Sequence, residues 1–249
     1  MQKISIIIPA HNEQQRIKRT LDAYITFFNA LKDKQICQAD FIVVLNGCVD
    51  DTITVVGVIQ ATHNNVHIVD IKPAGKGLAV KAGFLDALHR TNDLIGFVDA
   101  DMATSPQAFY DLIAHIDECD GIIASRYMPE SKVYPPRPWI KRWGSRLVYE
   151  PLVRLLFGIN YYDFQCGAKI FRREVINKIA CQMVVKRWSV DVEILYLCKK
   201  FGFKIKEYPT EWHDQVGSKL RFSSGFSMHT SLIALRLKHS VLGRWFNLR

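Results

Sequence analysis

The chain has 249 residues, 49% of them hydrophobic, and 33 Lys and Arg against 24 Asp and Glu, for a formal charge of +9. That is enough apolar content for one large α/β core, and the excess charge implies an anionic partner: nucleic acid, a phosphorylated substrate or an acidic membrane surface. No recognisable nucleic-acid module is present, which excludes the first. Six cysteines without a Cys-x-x-Cys pair argue against a structural zinc or a disulfide framework. No apolar run approaches the roughly 18 residues of a membrane span, and Met1-Gln2-Lys3 leads straight into a strand-like segment without a signal-peptide pattern. The expectation is a protein of the cytoplasm, attached at most peripherally to the cytoplasmic face of a membrane.

Through residue 125 the chain alternates apolar runs with helical spacing. Strands are expected at Ile4 to Ile8, Phe41 to Leu45, Val66 to Ile71, Leu94 to Val98 and Gly121 to Ser125. Helices are expected at Glu13 to Leu31, Asp51 to His63, Gly77 to His89 and Pro106 to Ile116. This pattern predicts an α/β fold with a mainly parallel central sheet flanked by helices. Beyond Arg126 the alternation fails. A Pro-rich turn at Pro135 to Pro138 precedes a basic, aromatic helix from Trp139 to Phe157, then a strand at Ala168 to Phe171, a helix at Asp191 to Phe201 and a short strand at Lys204 to Tyr208. No acidic residue occurs from Gln215 to Arg249, and Met228, Leu232, Leu235, Leu242 and Phe246 fall on one helical face. The organisation expected is a main domain over 1–221 and a basic amphipathic segment over 222–249 that faces a membrane. The alternative is that this face packs on the domain or on a second copy, giving a homo-oligomer.

In an open parallel sheet, ligands gather at the carboxyl ends of the strands. Four such ends carry polar or glycine chemistry: Pro9-Ala10-His11-Asn12-Glu13, Asn46 to Thr52, Gly75-Lys76-Gly77 and Asp99-Ala100-Asp101. Asn12 and Glu13 could contact a nucleotide or simply cap and charge a helix start. The Gly-Lys-Gly turn offers backbone and one cation to phosphate or sugar oxygens, without Walker A spacing. Alternate strand residues point the same way, so Asp99 and Asp101 present two hard oxygen donors suited to Mg²⁺ or Mn²⁺ on a diphosphate. Taken alone, the pair reads first as a solvated turn that ends strand pairing.

In this order and spacing, the four motifs resemble family-two glycosyltransferases of the nucleotide-diphospho-sugar transferase (GT-A) fold. Ala124 to Tyr127, Asp163 to Phe171, Arg187 to Leu195 and Gly217 to Leu220 are similar to the polyprenyl-phosphate sugar synthases. Asp99 to Thr104 and the ending Leu235 to Trp245 are similar to their dolichyl-phosphate β-glucosyltransferase branch. The resemblance implies an inverting transfer of glucose from UDP-glucose to a dolichyl or undecaprenyl phosphate, with mannose from GDP-mannose or another glycan acceptor as alternatives. It implies donor contacts from Pro9, Ala10, Asn12, Glu13, Asn46, Asp50, Lys76 and Asp99, and a Mg²⁺ or Mn²⁺ ion on Asp99 and Asp101. Asn46 departs from the aspartate usual at that position. The acceptor is already an ionised phosphate, so cations to place it matter more than a base. Arg126, Lys219 and Arg221 are expected to grip phosphate, Asp163 and Gln165 to shape the acceptor side, and Asp191 to orient sugar hydroxyls or act as base. Glu193 reads as helix N-terminal charge as readily as a catalytic group.

Overall fold

The computed structural model describes residues 1–135, 149–215 and 224–240. Lys219 and Arg221, the segment from Trp139 to Val148, and Leu242, Trp245 and Phe246 lie outside the described residues, as does the expected boundary at 221.

The first half forms β1 (Gln2–Ala10), α1 (Ile17–Asp33), β2 (Cys37–Asn46), α2 (Thr52–Thr62), β3 (Val66–Ile71), α3 (Lys76–Leu88), β4 (Leu94–Val98), α4 (Pro106–Ala114) and β5 (Gly121–Ser125). The second half adds β6 (Lys132–Tyr134), α5 (Glu150–Phe157), β7 (Ala168–Arg172), α6 (Arg173–Ile179), α7 (Val190–Lys200), β8 (Ile205–Pro209), β9 (Glu211–His213) and α8 (Ser224–Lys238). Seven strands make one sheet in the order β3-β2-β1-β4-β7-β5-β8, parallel except for β7, which runs antiparallel to both neighbours. Chain order reverses at β1, whose neighbours are β2 and β4. A crevice opens at the carboxyl ends of strands at such a point.

Strands β1 and β2 read as continuous apolar runs because both of their faces are covered. Ile4, Ile6 and Ile8, with Phe41, Val43 and Leu45, face α1, α2 and α4; Ile7, Ile42 and Val44 face α3 and the second-half helices. β6, β9 and α6 were not expected from the sequence. The two strands have three residues each and mostly half-exposed or exposed faces, too short for a periodic signal. They pair with each other, and β9 also reaches the turn after β4 through a Thr104–Trp212 bridge and a hydrogen bond from His213 N to Ala103 O.

Helix α1 starts at Ile17, not Glu13, because Asn12 adopts φ 55° and residues 13–16 form a turn. At the other end of the chain, the apolar face assigned to a membrane needs correction. Leu232 and Leu235 of α8 are buried in the core with Val153, Phe157 and Ile194, so this stripe packs on the domain. Ile233 and Leu237 point outward instead, each about half exposed (50% and 51%). No helix among the described residues is long and apolar enough to cross a membrane. Leu235→Ala is expected to cost about 2–4 kcal/mol in urea denaturation, while Leu237→Ala stays within about 0.5 kcal/mol of wild type. Equal losses would contradict this facing of α8.

Candidate functional site

The four strand-end segments converge. Asn46, 4% exposed at the end of β2, spends its whole amide on the neighbouring loops. Its Nδ2 donates to Ala10 O at 2.8 Å, and its Oδ1 accepts from Gly75 N at 2.9 Å. Its carbonyl meets His11 Nδ1 at 2.7 Å. An aspartate could not donate to Ala10, so the departure from the usual residue has a local reason. Asn12 does not cap α1; its Oδ1 accepts from Val49 N at 2.9 Å. Glu13 N donates to Thr52 Oγ1 at 2.8 Å, and Asp50 takes the Thr52 amide at 3.1 Å, so β1's loop is fastened to the start of α2. The Glu13 carboxylate forms a two-pronged pair with Arg16 at 2.7 and 2.9 Å. Pro9 and Ala10 form the last rungs of β1 against Val44 and Leu45.

A row of alternating charge runs across the crevice. Lys76 Nζ lies 2.8 Å from Asp99 Oδ1 and 3.7 Å from Asp191 Oδ2, and Asp191 Oδ1 accepts from Lys169 Nζ at 2.6 Å. Lys169 also donates to Cys166 O, and both lysines sit over the Phe97 ring at 5.5 and 5.8 Å. Burial alone would pull the Lys76 amine down, but Asp191 and Asp99 hold it well above its ordinary value. Glycine permits this crowding. A Cβ on Gly167 would lie 1.8 Å from Asp99 Oδ2, and one on Gly75 or Gly77 would strike the Lys186 or Val185 carbonyl at 2.2 or 2.3 Å. The 184–186 backbone is in turn held by Glu193, which accepts from Val184 N at 2.7 Å and Val185 N at 3.0 Å and meets His239 of the α8 end at 2.8 Å. Glu193 is therefore a buried clamp facing away from the row.

Asp99 and Asp101 lie just past β4, in a turn continued by Met102 at φ 62°. Asp101 Oδ1 accepts from Ala103 N at 3.0 Å. Its carboxyl is raised by burial and then by the Asp99 charge, so the two carboxylates crowd one region. That repulsion is what a divalent cation relieves. Among the described residues no cluster of three or more His, Cys, Asp or Glu forms a closed metal cage. Two carboxylates without a cage fit an ion that completes its shell with diphosphate oxygens and water.

On the far side of β7, Arg126 and Asp163 form a buried bidentate pair. Nε donates to Oδ2 at 2.6 Å, Nη2 to Oδ1 at 2.9 Å, and the Arg126 backbone N also donates to Oδ2 at 3.1 Å. Trp212 covers the guanidinium at 4.9 Å. Burial favours a neutral Asp163, but Arg126 outweighs it and lowers its pKa. The Asp163 loop is held by Glu207, which accepts from Tyr162 N at 2.7 Å and Asp163 N at 2.9 Å. Tyr149 and Gln165 line a small pocket with this pair, and burial and then the Asp191 charge push the Tyr149 hydroxyl up. Arg126 is thus a buried residue just past β5, its fork held by Asp163. An open groove of about 830 Å³ between α1 and α4 contains none of the converging carboxylates.

Lys169, Gly167, Trp212 and Glu207 were given no role from the sequence. Lys169 had a signal, a lysine inside the apolar strand Ala168 to Phe171; Trp212 and Glu207 act through contacts distant in the chain.

The sheet order, the crevice at β1 and β4 and the acidic pair at its edge fit a nucleotide-sugar transferase fold. The chain belongs to glycosyl transferase family 2, whose family model matches residues 5–180, and it is a glycosyltransferase of GT-A fold. It is 32% identical to a dolichyl-phosphate beta-glucosyltransferase of Trichomonas vaginalis, over 97% of this chain and 75% of that protein. It is equally 32% identical to the dolichyl-phosphate beta-glucosyltransferase of Dictyostelium discoideum, over 97% and 76%. A solved structure of glucosyl-3-phosphoglycerate synthase from Mycobacterium tuberculosis, in complex with Mn²⁺, UDP and phosphoglyceric acid, superposes with a TM-score of 0.66 at 18% identity, covering 95% of this chain and 78% of that one.

The Arg126–Asp163 pair is testable through stability. Removing one charge from a buried pair strands the other, so Asp163→Asn should cost about 3–5 kcal/mol. Asp163 is held below the roughly 3.9 of an unfolded aspartate, so its contribution is complete above that pH and lost as pH falls through the lower folded value. Wild type should therefore lose stability between about pH 5 and pH 2 more steeply than Asp163→Asn, measured by denaturant midpoints at each pH. Parallel curves would refute the pairing.

Proposed function

We propose that this chain transfers glucose from UDP-glucose to a polyprenyl phosphate, dolichyl or undecaprenyl, at the cytoplasmic face of a membrane. The observation that carries the reading is the likeness, over nearly its whole length, to enzymes named for that transfer, joined to a crevice whose charges suit two phosphates. Asp99 and Asp101 would hold Mg²⁺ or Mn²⁺, which when bound supplies charge neutralisation for the departing diphosphate.

The other roles follow from this chain's own residues. Asn46 and Asp50 fix the loops on which Asn12, Glu13 and the Gly-Lys-Gly turn meet the donor. Lys76, already between two carboxylates, is the cation nearest the donor phosphates. An acceptor phosphate oxygen attacks the anomeric carbon from the face opposite the leaving group. The new C–O bond forms as the C–O bond to the diphosphate breaks, UDP leaves with the electron pair, and the configuration inverts. The attacking oxygen is already ionised, so Asp191 need not take a proton. Held at 2.6 Å by Lys169, it serves to accept hydrogen bonds from donor sugar hydroxyls. Arg126, Asp163 and Gln165 shape the acceptor wall, and Lys219 and Arg221 supply the cations that grip its phosphate.

The acceptor's chain requires a membrane. Leu155 on α5 is 82% exposed, and Ile233 and Leu237 lie on α8, which packs against α5; Arg154, Arg236 and Lys238 are their neighbours in sequence. This apolar, basic surface suits an anionic headgroup boundary. The protein should sediment with vesicles containing anionic lipid and be released by salt, and Leu155→Asp with Leu237→Asp should weaken that binding. Unchanged sedimentation of the double variant would assign the contact elsewhere.

The activity is tested with labelled UDP-glucose or GDP-mannose, Mg²⁺ or Mn²⁺ and a polyprenyl phosphate, following label into the organic phase. Glucose should be transferred, and Asp101→Ala should slow transfer about 100-fold or more. No lipid-soluble product from either donor would refute the function, and normal turnover by Asp101→Ala would refute its metal role.

A further inference from the structure

Lys169 is the charged group least compatible with its surroundings. It is the second residue of β7, between apolar Ala168 and Ile170, and its side chain has no exposure to solvent. A buried ammonium is costly unless paired and hydrogen-bonded. Here it has three partners: Asp191 Oδ1 at 2.6 Å, the Cys166 carbonyl and the Phe97 ring. An isosteric apolar residue would fill β7 with no such requirement, so the core gains nothing from the charge itself.

What the lysine does is fix one oxygen of Asp191. That carboxylate is itself only 5% exposed and is carried on the second residue of α7, within the first turn, which Glu193 N closes by donating to Ser189 O. With Oδ1 engaged by Lys169, Oδ2 is the oxygen directed to Lys76, 3.7 Å away. Lys76 in turn holds Asp99 at 2.8 Å. The buried lysine thereby sets the carboxylate's rotation, at the inner end of a row whose outer end is the proposed metal ligand.

We propose that Lys169 is a positioning residue for the transfer: it does not touch the substrate but orients Asp191 toward the donor sugar. This rests on the role of Asp191 given above. A residue acting this way should matter more to the transition state, where the sugar must be held in line, than to donor binding. Misplacement of a positioning group costs about 100-fold in rate.

The test is a double-mutant cycle of Lys169→Met and Asp191→Asn, each purified variant checked for a cooperative thermal transition, with kcat and donor KM measured in the lipid-phosphate assay. Lys169→Met should lower kcat by about 100-fold with donor KM within about threefold of wild type. Because Lys169 acts only through Asp191, the double variant should be no more than about threefold slower than Asp191→Asn alone. A Lys169→Met enzyme within about threefold of wild-type kcat, or a double variant at least about tenfold slower than Asp191→Asn, overturns the proposal. Should Lys169→Met fail to fold, the double variant, which leaves no unpaired buried charge, decides the matter against Asp191→Asn by the same limits. If Asp191→Asn keeps wild-type kcat, the role of Asp191 falls and the inference with it. If Asp191→Asn is slow while Lys169→Met is not, only the inference falls.

Discussion

Two lysines and two aspartates share a crevice walled by Phe97 and by glycine backbone, each within reach of a partner of opposite charge. Lys169 has no exposure and Asp191 only 5%, while Lys76 and Asp99 open progressively toward solvent at 16% and 32%. In so dry a place each charge depends on the next for compensation. The row therefore behaves as one electrostatic object, neutral overall, anchored in the core at Lys169 and ending at the mouth with Asp99. Lys76 and Asp99, the two members nearest the mouth, carry opposite charges, so the row presents both signs to solvent.

Holding that row in register falls to backbone packing. Gly75 and Gly77 let the turn bearing Lys76 lie against the 185–186 carbonyls, and Gly167 lets the Asp99 carboxylate rest on the β7 entry. The 184–185 amides are fixed by Glu193, two residues past Asp191 on α7 and joined to the end of α8 through His239. A carboxylate that reads as helix N-terminal charge is the fastening between α8 and the Gly-Lys-Gly turn.

Much of this was legible in the sequence. Buried parallel strands announce themselves as unbroken runs such as Phe41 to Leu45, and the polar residues that end them mark the crevice. The contents of the second half were less so. Leu232 and Leu235 have the spacing of any amphipathic helix, and spacing cannot tell a lipid surface from a protein core. β6 and β9 are too short to show a period. Arg126 and Asp163 were both assigned to the acceptor side, but that they face each other with both forks engaged depends on a separation of 37 residues that no local pattern encodes.

That last pairing redistributes the work of binding the acceptor. A guanidinium held by two carboxylate oxygens and covered by Trp212 is rigid, and its positive charge is largely balanced by its partner. Its wall is built with care, since Glu207 uses both oxygens to hold the turn that carries Asp163. Such a corner offers shape and a steady, nearly neutral field; it does not supply the strong attraction that a phosphate dianion needs. On a chain of net charge +9 that attraction has other sources, and in the reading proposed above it comes from Lys219 and Arg221, which follow β9 in the chain, while the corner gives the acceptor its shape.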